Sequence, residues 1–482
     1  KISPENQQFI FELTTNYIEP YIRIFNKDLY GFNNLDIKGS INTNKQSIAL
    51  TGKIPFAGFK NGFANYAIKD GNITGSGNID SLSLNMIANG FNITDSLGFK
   101  NTTVQIKSSK DVSEFIVYAV SPSVIEQLAL KGKIQTYQDG LSINWSPSYF
   151  ILNHKKWDIQ NNGILNLRES NTSASNFKIT QGIQSFDITN TPKQKNGLQL
   201  ELKNIILGDI TKLLFSNPRL EGITNGKIQF KNILQDPELY ANLDINKFMY
   251  NTDSIGKTQI ISSYQQSKGI IPFDIISLNN DYNLTANGTY NLLDSANPLD
   301  ATLYLNHSKF GMVQQFIGNV ITHLDGRANG SIHFAGRIEN PYLKGSASLE
   351  EASFMVDYTK VKYKIDTGLI QFTNEGIDFG NMIVSDQLNR KANFKGKILN
   401  QGFKHLEYDM EMNSPKIELL NTDVLDNTNF YGKAVGKASM TIKGPEGNIK
   451  MSITADVNDS SHIYLPNSTS KESGKSEFIV FK

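Results

Sequence analysis

The stretch Leu406-Glu407-Tyr408-Asp409-Met410-Glu411-Met412 decides the fold. Apolar and acidic residues alternate strictly, and a period of two puts them on opposite faces of an extended strand. A helix would scatter the same apolar residues around its circumference. The pattern recurs. Val361, Tyr363 and Ile365 alternate with Lys362, Lys364 and Asp366, and Ile449, Met451, Ile453 and Ala455 with Lys450, Ser452, Thr454 and Asp456. Far upstream, Leu35, Ile37, Gly39 and Ile41, then Ile48, Leu50, Gly52 and Ile54, show it again. The fold expected is all-β: an elongated, repetitive β-sheet with a few short helices and an N-terminal helix.

Departures from this period are brief. Residues 1–29 read as a helical segment: Ser3 caps, Pro4 suits a first turn, and Ile10, Leu13, Tyr17, Ile18, Tyr21 and Phe25 recur at helical spacing, interrupted at Pro20. Ser121–Leu130, Asp209–Phe215 and Phe310–Leu324 read as further short helices. Asp70-Gly71, Asp139-Gly140, Asn162-Gly163, Asn196-Gly197 and Asn287-Gly288 read as turns between strands.

A repeat of about 105 residues organises the chain. Leu220-Glu-Gly222-x-x-x-Gly226-Lys-Ile228-Gln-Phe230 with Pro237 returns as Leu324-Asp-Gly326-x-x-x-Gly330-Ser-Ile332-His-Phe334 with Pro341. A shortened copy follows at Tyr431-Gly432-x-x-x-Gly436, with Pro445. Each unit reads as a helix, a tight turn at the paired glycines (Gly222 and Gly226, Gly326 and Gly330, Gly432 and Gly436), and then strands. Units that each leave an open apolar face stack into a solenoid-like sheet.

Composition removes many functions. The 482 residues carry 47 Lys and Arg against 46 Asp and Glu, a net charge of +1, which gives no basic face to neutralise phosphates and argues against nucleic acid as a partner. With no cysteine there is no disulfide, thiol nucleophile or Cys-ligated metal. The six histidines (His154, His307, His323, His333, His405, His462) are scattered, so no metal site and no catalytic base is assigned. Gly75-Ser76-Gly77 lacks a third glycine and a following helix, and reads as a turn. Asp366, Glu407, Asp409 and Glu411 sit at the polar alternates of strands and read as a solvated outer face. No carboxylate pair stands out for glycosidase chemistry. The chain is expected to be non-enzymatic, without cofactor. No apolar run reaches the length needed to span a bilayer, and Phe478-Ile479-Val480-Phe481-Lys482 reads as mid-strand, so the chain is taken as an excerpt of a longer one.

An apolar strand face must be covered. A closed sandwich covers it with an opposing sheet, whereas a half-pipe leaves it to line a groove that acyl chains can fill. Each buried methylene contributes about 0.8 kcal/mol, so exposing two long acyl chains to water costs on the order of 20 kcal/mol. At about 4.8 Å between strands, strands laid across the long axis would extend the sheet on the order of 200 Å. The groove residues expected are Ile332, Phe334, Leu343, Ala347, Phe354, Val356, Val361, Tyr363, Ile365, Ile370, Phe372, Phe394, Leu406, Tyr408, Met410, Met412, Met440, Ile442, Ile449, Met451 and Ile453. A charge among them, such as Met410→Asp or Ile365→Arg, is expected to block acyl passage and leave the fold intact.

Residues 324–482 resemble TamB proteins of the AsmA-like superfamily, especially the Bacteroidetes type. The resemblance rests on Leu324-Asp-Gly326-Arg-Ala-Asn-Gly330-Ser-Ile-His-Phe-Ala-Gly336, Asn340-Pro341-Tyr-Leu-Lys-Gly345 and Phe354-Met-Val-Asp-Tyr358. It continues through Tyr363-Lys-Ile365-Asp-Thr-Gly368-Leu-Ile370, Phe430-Tyr-Gly432-Lys-Ala-Val-Gly436, Ile442-Lys-Gly444-Pro445, Tyr464-Leu-Pro466 and Ser476-Glu-Phe478-Ile479. Leu202–Leu243 is an upstream repeat in the same style. The organisation expected is a helical segment (1–29), a β-groove segment (30–200), a TamB-like repeat (201–323) and a TamB-like C-terminal repeat region (324–482).

That resemblance implies that the sheet is folded into a half-pipe (β-taco) groove, in a periplasm-spanning protein of a Gram-negative envelope, anchored in the inner membrane. It implies passage of phospholipid towards the outer membrane, and a TamA-like or other Omp-family outer-membrane barrel as partner. Both the anchor and the docking parts would lie outside these residues. An alternative is a scaffold or chaperone assisting outer-membrane β-barrel assembly. A second alternative is a surface β-solenoid, either an adhesin or a polysaccharide enzyme.

Overall fold

A computed structural model describes residues 8–61, 64–93, 97–192, 196–213, 218–316, 320–338, 340–400, 405–458 and 460–466. Strands dominate throughout and pair antiparallel, as the alternation requires. The chain divides into two compact units, residues 1–254 with 259–268, and residues 255–258 with 269–482.

In the first unit, long strands such as Ser47–Asn61, Ala64–Asn78, Ser81–Asn92, Gly98–Ser109 and Val112–Val120 follow one another as an antiparallel meander. A hydrophobic cluster of Leu152, Trp157, Leu202 and Ile205 anchors its later part, with Ile210 and Leu213 packed against it. The short helix Leu207–Thr211 carries Ile210. The indole of Trp157 is fully buried between Phe150 and Phe186, with ring centroids 6.0 Å and 5.4 Å away.

In the second unit the strands Ile321–Arg337, Asn340–Val356, Val361–Thr373, Gly376–Ser385, Lys391–Leu399, Glu407–Thr422, Tyr431–Pro445 and Lys450–Val457 pair in sequence order. The short hairpin Gly376–Leu399 ends before its flanking strands do. Beyond its tip the two flanking strands meet: Tyr363 donates to the Glu418 carbonyl at 2.8 Å, and the Asn421 N–H to the Thr359 carbonyl at 2.9 Å. Asp386, with no exposed side-chain surface, ties the tip down. It accepts from the N–H groups of Leu388 (2.9 Å), Arg390 (3.1 Å) and Glu418 (2.9 Å), and from Arg390 Nε at 2.6 Å.

Several local expectations are corrected. The paired glycines are not turns. Gly222 and Gly226 lie inside Leu220–Lys231, Gly326 and Gly330 inside Ile321–Arg337, and Gly432 and Gly436 inside Tyr431–Pro445. Their role is close approach: a Cβ on Gly226, Gly330 or Gly436 would collide with the backbone oxygen of Asn242, Ser346 or Asp456 on the hairpin partner. Asp70-Gly71 and Asn287-Gly288 also lie within strands, whereas Asp139, Asn162 and Asn196 do stand in turns.

The helices are fewer and shorter than expected. Ile10 and Leu13 belong to the strand Gln8–Thr15, paired with Leu35–Asn42, and only Glu19–Phe25 is helical, with Pro20 in its first turn rather than at a kink. Ser121–Leu130 is largely strand: Ile125–Tyr137 pairs with Val112–Val120 and with Ser148–Leu152, so tertiary pairing overrides local preference. Of Phe310–Leu324, Gly311–Phe316 forms a 3₁₀ turn and Ile321 onwards is strand. Ser3, Pro4, Phe215, Ser476 and Phe478–Lys482 lie outside the described residues.

Candidate functional site

Register turns the alternation into rows. In an antiparallel sheet directly paired residues point to the same face, so paired apolar positions line up across strands at about 4.8 Å per step. In the second unit one such row runs Leu303, Ile332, Gly345, Phe372, Ile377, Ile398 and Tyr408. A second runs Met382, Phe394, Met412, Met440 and Ile453. The opposite face is charged, with cross-strand ion pairs Lys395–Glu411 (2.9 Å), Lys397–Asp378 (3.0 Å) and Lys443–Asp409 (3.1 Å). Such exposed pairs contribute little stability and mark the solvated side.

Of the groove residues expected, seventeen are buried: Ile332, Leu343, Ala347, Phe354, Val356, Val361, Tyr363, Ile365, Ile370, Phe372, Phe394, Leu406, Tyr408, Met410, Met412, Met440 and Ile442. Phe334, Ile449 and Met451 are half-buried, and Ile453 is exposed. The face is therefore one surface, but here it is largely filled by its own side chains. A cavity of about 60 Å³, with wholly apolar walls, lies among Leu305, Phe310, Val313, Leu324, Ile332, Phe354, Ile365, Phe372 and Met382. Another of about 20 Å³ lies among Phe394, Met410, Met412 and Met440. A 150 Å³ apolar cavity of this kind is known to take up benzene, so neither admits an acyl chain until side chains part. Five methionines (Met382, Met410, Met412, Met440 and Met451) line or flank these spaces, and unbranched thioethers repack at low cost.

The polar groups here are structural. Burial pushes the Tyr363 phenol well above its ordinary range, reinforced by the nearby Glu418 and Asp386 charges, so it stays a neutral donor to the Glu418 carbonyl. Burial likewise pushes Tyr408 up to about 12. Burial alone would raise Asp386, but the Glu418 and Arg390 N–H groups and the Arg390 guanidinium together hold it below the usual carboxylate range.

The first unit holds rows that the sequence reading did not single out as a site. One runs Phe11, Gly39, Leu50, Gly75, Leu84, Ile106, Phe115, Gly132 and Trp145. Beside it runs Leu13, Ile37, Gly52, Ile73, Met86, Val104, Val117 and Leu130. From Leu50 to Phe115 the apolar members are only half-buried, so this stretch of wall keeps surface available to a ligand. Glycines interleave with bulky neighbours; a Cβ on Gly75 would stand 3.1 Å from Leu50. Phe115, Trp145 and Phe177 carry the wall onward, with centroids 5.7 Å and 5.8 Å apart. The signal was present, since Ile48, Leu50, Gly52 and Ile54 alternate in the sequence.

Among the described residues no group of three or more acidic, His or Cys side chains could hold a metal, and no helix is long and apolar enough to cross a membrane. His154 and His307 pair with Glu126 and Glu350 at 2.8 Å and 2.9 Å on the surface, and half-buried His333 lies 3.6 Å from Asp300.

Fold and face together define a one-sided antiparallel β protein with an apolar inner wall. Residues 195–385 match the family model described as the TamB C-terminal domain, and over that stretch the protein is TamB-like. The match takes in both full copies of the glycine repeat, including the upstream one. No curated protein and no solved structure is matched.

Proposed function

We propose that the protein is a non-enzymatic carrier whose apolar wall shields phospholipid acyl chains, as part of a bridge across the periplasm towards the outer membrane. The observation that carries this reading is the row Leu50, Gly75, Leu84, Ile106 and Phe115 across five consecutive strands, whose bulky members are half-buried on one face, while the other face mixes polar residues with exposed Ile87, Ile116 and Tyr118. A wall whose successive steps are about 4.8 Å apart gives a sliding acyl chain the same apolar contact at each position, so no step re-exposes it to water. Headgroups stay at the strand ends, in solvent. The match to the TamB C-terminal domain supports the assignment to envelope lipid transport. A TamA-like or other Omp-family barrel at the outer membrane and an inner-membrane anchor complete the reading, through parts beyond the residues described.

Site-specific photo-crosslinking tests it. A photoreactive residue at Leu84 or Ile106 should capture phospholipid in envelope-bearing cells, and one at Thr74 or Ser76, on the other face, should not. Equal capture from both sets would contradict the reading. The assembly-scaffold alternative draws on the Lys450–Val457 strand, paired on one side only among the described residues. Capture of a barrel strand there, without lipid on the wall, would favour it.

A further inference from the structure

A third cavity in the second unit has a different character from the two apolar chambers. It encloses about 260 Å³ where the strand ends Asn340–Leu343, the Phe372–Ile377 turn and Asn400 converge. One water occupies about 30 Å³ in the liquid, so this space is sized for a ring-shaped solute rather than for a lone water. Its floor is Leu343, Phe372 and Ile377, all buried, and the last two also wall the 60 Å³ apolar chamber. Its rim is Asn340, Asn374, Asn400 and Tyr342.

The rim is polar, and among the described residues no charged side chain lines the cavity. Lys397, on the outer face nearby, is engaged with Asp378 at 3.0 Å. Thr373 is spent on its own turn, accepting from the Glu375 N–H at 3.2 Å and donating to the Gly376 carbonyl at 3.3 Å. The Asn400 backbone N–H closes the same corner on the Glu375 carbonyl at 3.1 Å. The three asparagine side chains make no hydrogen bond with the described residues. Each amide offers two donors and one acceptor group. Tyr342 adds an exposed ring seated beside Gly336, where a Cβ would stand 3.0 Å from the ring edge.

We propose that this cavity binds an uncharged polyhydroxylated ring, a sugar, at the lip of the apolar wall. Hydroxyls are donors and acceptors at once and match amides, whereas a phosphate would be desolvated there with no cation among the described lining residues to meet it. An aromatic face against the C–H side of a sugar ring, with amides around its edge, supplies both halves of the contact. The sugar is either free or the head of a glycolipid whose tail enters past Phe372 and Ile377. Only the glycolipid form rests on the acyl-shielding reading above.

Titration calorimetry of the whole chain with three probes below their micellar concentrations tests this: maltose, dodecyl maltoside and dodecyl phosphate. Dodecyl maltoside should bind at least about tenfold more tightly than dodecyl phosphate, and Asn374→Ala with Asn400→Ala should weaken it by about tenfold, at an unchanged melting temperature. Asn374→Asp should weaken dodecyl phosphate further while sparing dodecyl maltoside. Maltose binding as tightly as dodecyl maltoside supports the sugar site and assigns it to free carbohydrate. Equal binding of both dodecyl probes, or no effect of the asparagine variants, overturns the sugar site but leaves acyl shielding standing. Absence of binding by either maltoside or maltose overturns it outright, while lipid retained on the Leu84 wall reports separately on the acyl reading.

Discussion

Gly330 shows how a single position fixes register. Its Cα lies against the paired strand so closely that a methyl group would meet the Ser346 carbonyl oxygen, and backbone cannot move aside as a side chain can. Gly330→Ala is expected to destabilise the second unit by about 2 kcal/mol or more, read as a lowered denaturant midpoint. Gly226→Ala should do the same in the first unit through Asn242. Gly380, with nothing near its Cβ, tolerates the space but holds a φ of 58°, and serves as a conformational control. Asp386 is the electrostatic counterpart. Its folded pKa is depressed, so its contribution is fully present above the unfolded value of about 3.9 and is lost as pH falls through the folded one. Asp386→Asn should cost about 3 kcal/mol at pH 7, and the gap between variant and wild type should narrow as the pH is lowered below about 4. A gap unchanged with pH would show that the carboxylate charge is not what ties the hairpin tip. The sequence made neither residue legible: the glycines read as turns because φ and pairing partner are not written locally, and nothing in the pattern around Asp386 singles it out, because its partner at Glu418 lies on a distant strand.

At the scale of the strand the two units separate. Met410 is 2% exposed and Ile365 5%, so Met410→Asp or Ile365→Arg buries a charge against packed neighbours and is expected to cost about 3–5 kcal/mol rather than to leave the fold intact. Ile106→Asp and Leu84→Asp, on half-buried positions, should cost about 1–2 kcal/mol and keep the strand pairing. Circular dichroism and urea midpoints distinguish the two pairs. The strands themselves were legible because a period of two survives any tertiary context, as at Leu406–Met412. Elements were misread where one segment satisfied two periods. Phe9, Ile10, Phe11 and Leu13 fit a helix stripe as well as a strand, and pairing decided: Phe11 seats its ring on Gly39, which lies some thirty residues away. Ile125–Leu130 was settled likewise, by partners on both sides.

For the molecule as a whole, charge balance and the absence of cysteine narrow the functions to be expected before any geometry does. The TamB-like stretch, residues 195–385, holds two copies of the glycine repeat, whereas the third copy, at Gly432 and Gly436, and much of the stretch 324–482 on which the resemblance was read lie beyond it. What the sequence could not convey is occupancy of the apolar face. An alternating strand reads the same whether its inner residues pack on one another, as Met412 and Met440 do, or stay half-open, as Leu84 and Ile106 do, because that depends on how tightly the sheet curls. The central claim, that the wall from Leu50 to Phe115 holds hydrocarbon, is tested most directly by mass spectrometry of lipid extracted from the purified protein and from the Leu84→Asp, Ile106→Asp double variant. The account predicts phospholipid retained by the wild type and depleted severalfold in a variant that remains folded. Equal lipid in both, or none in either, would contradict it.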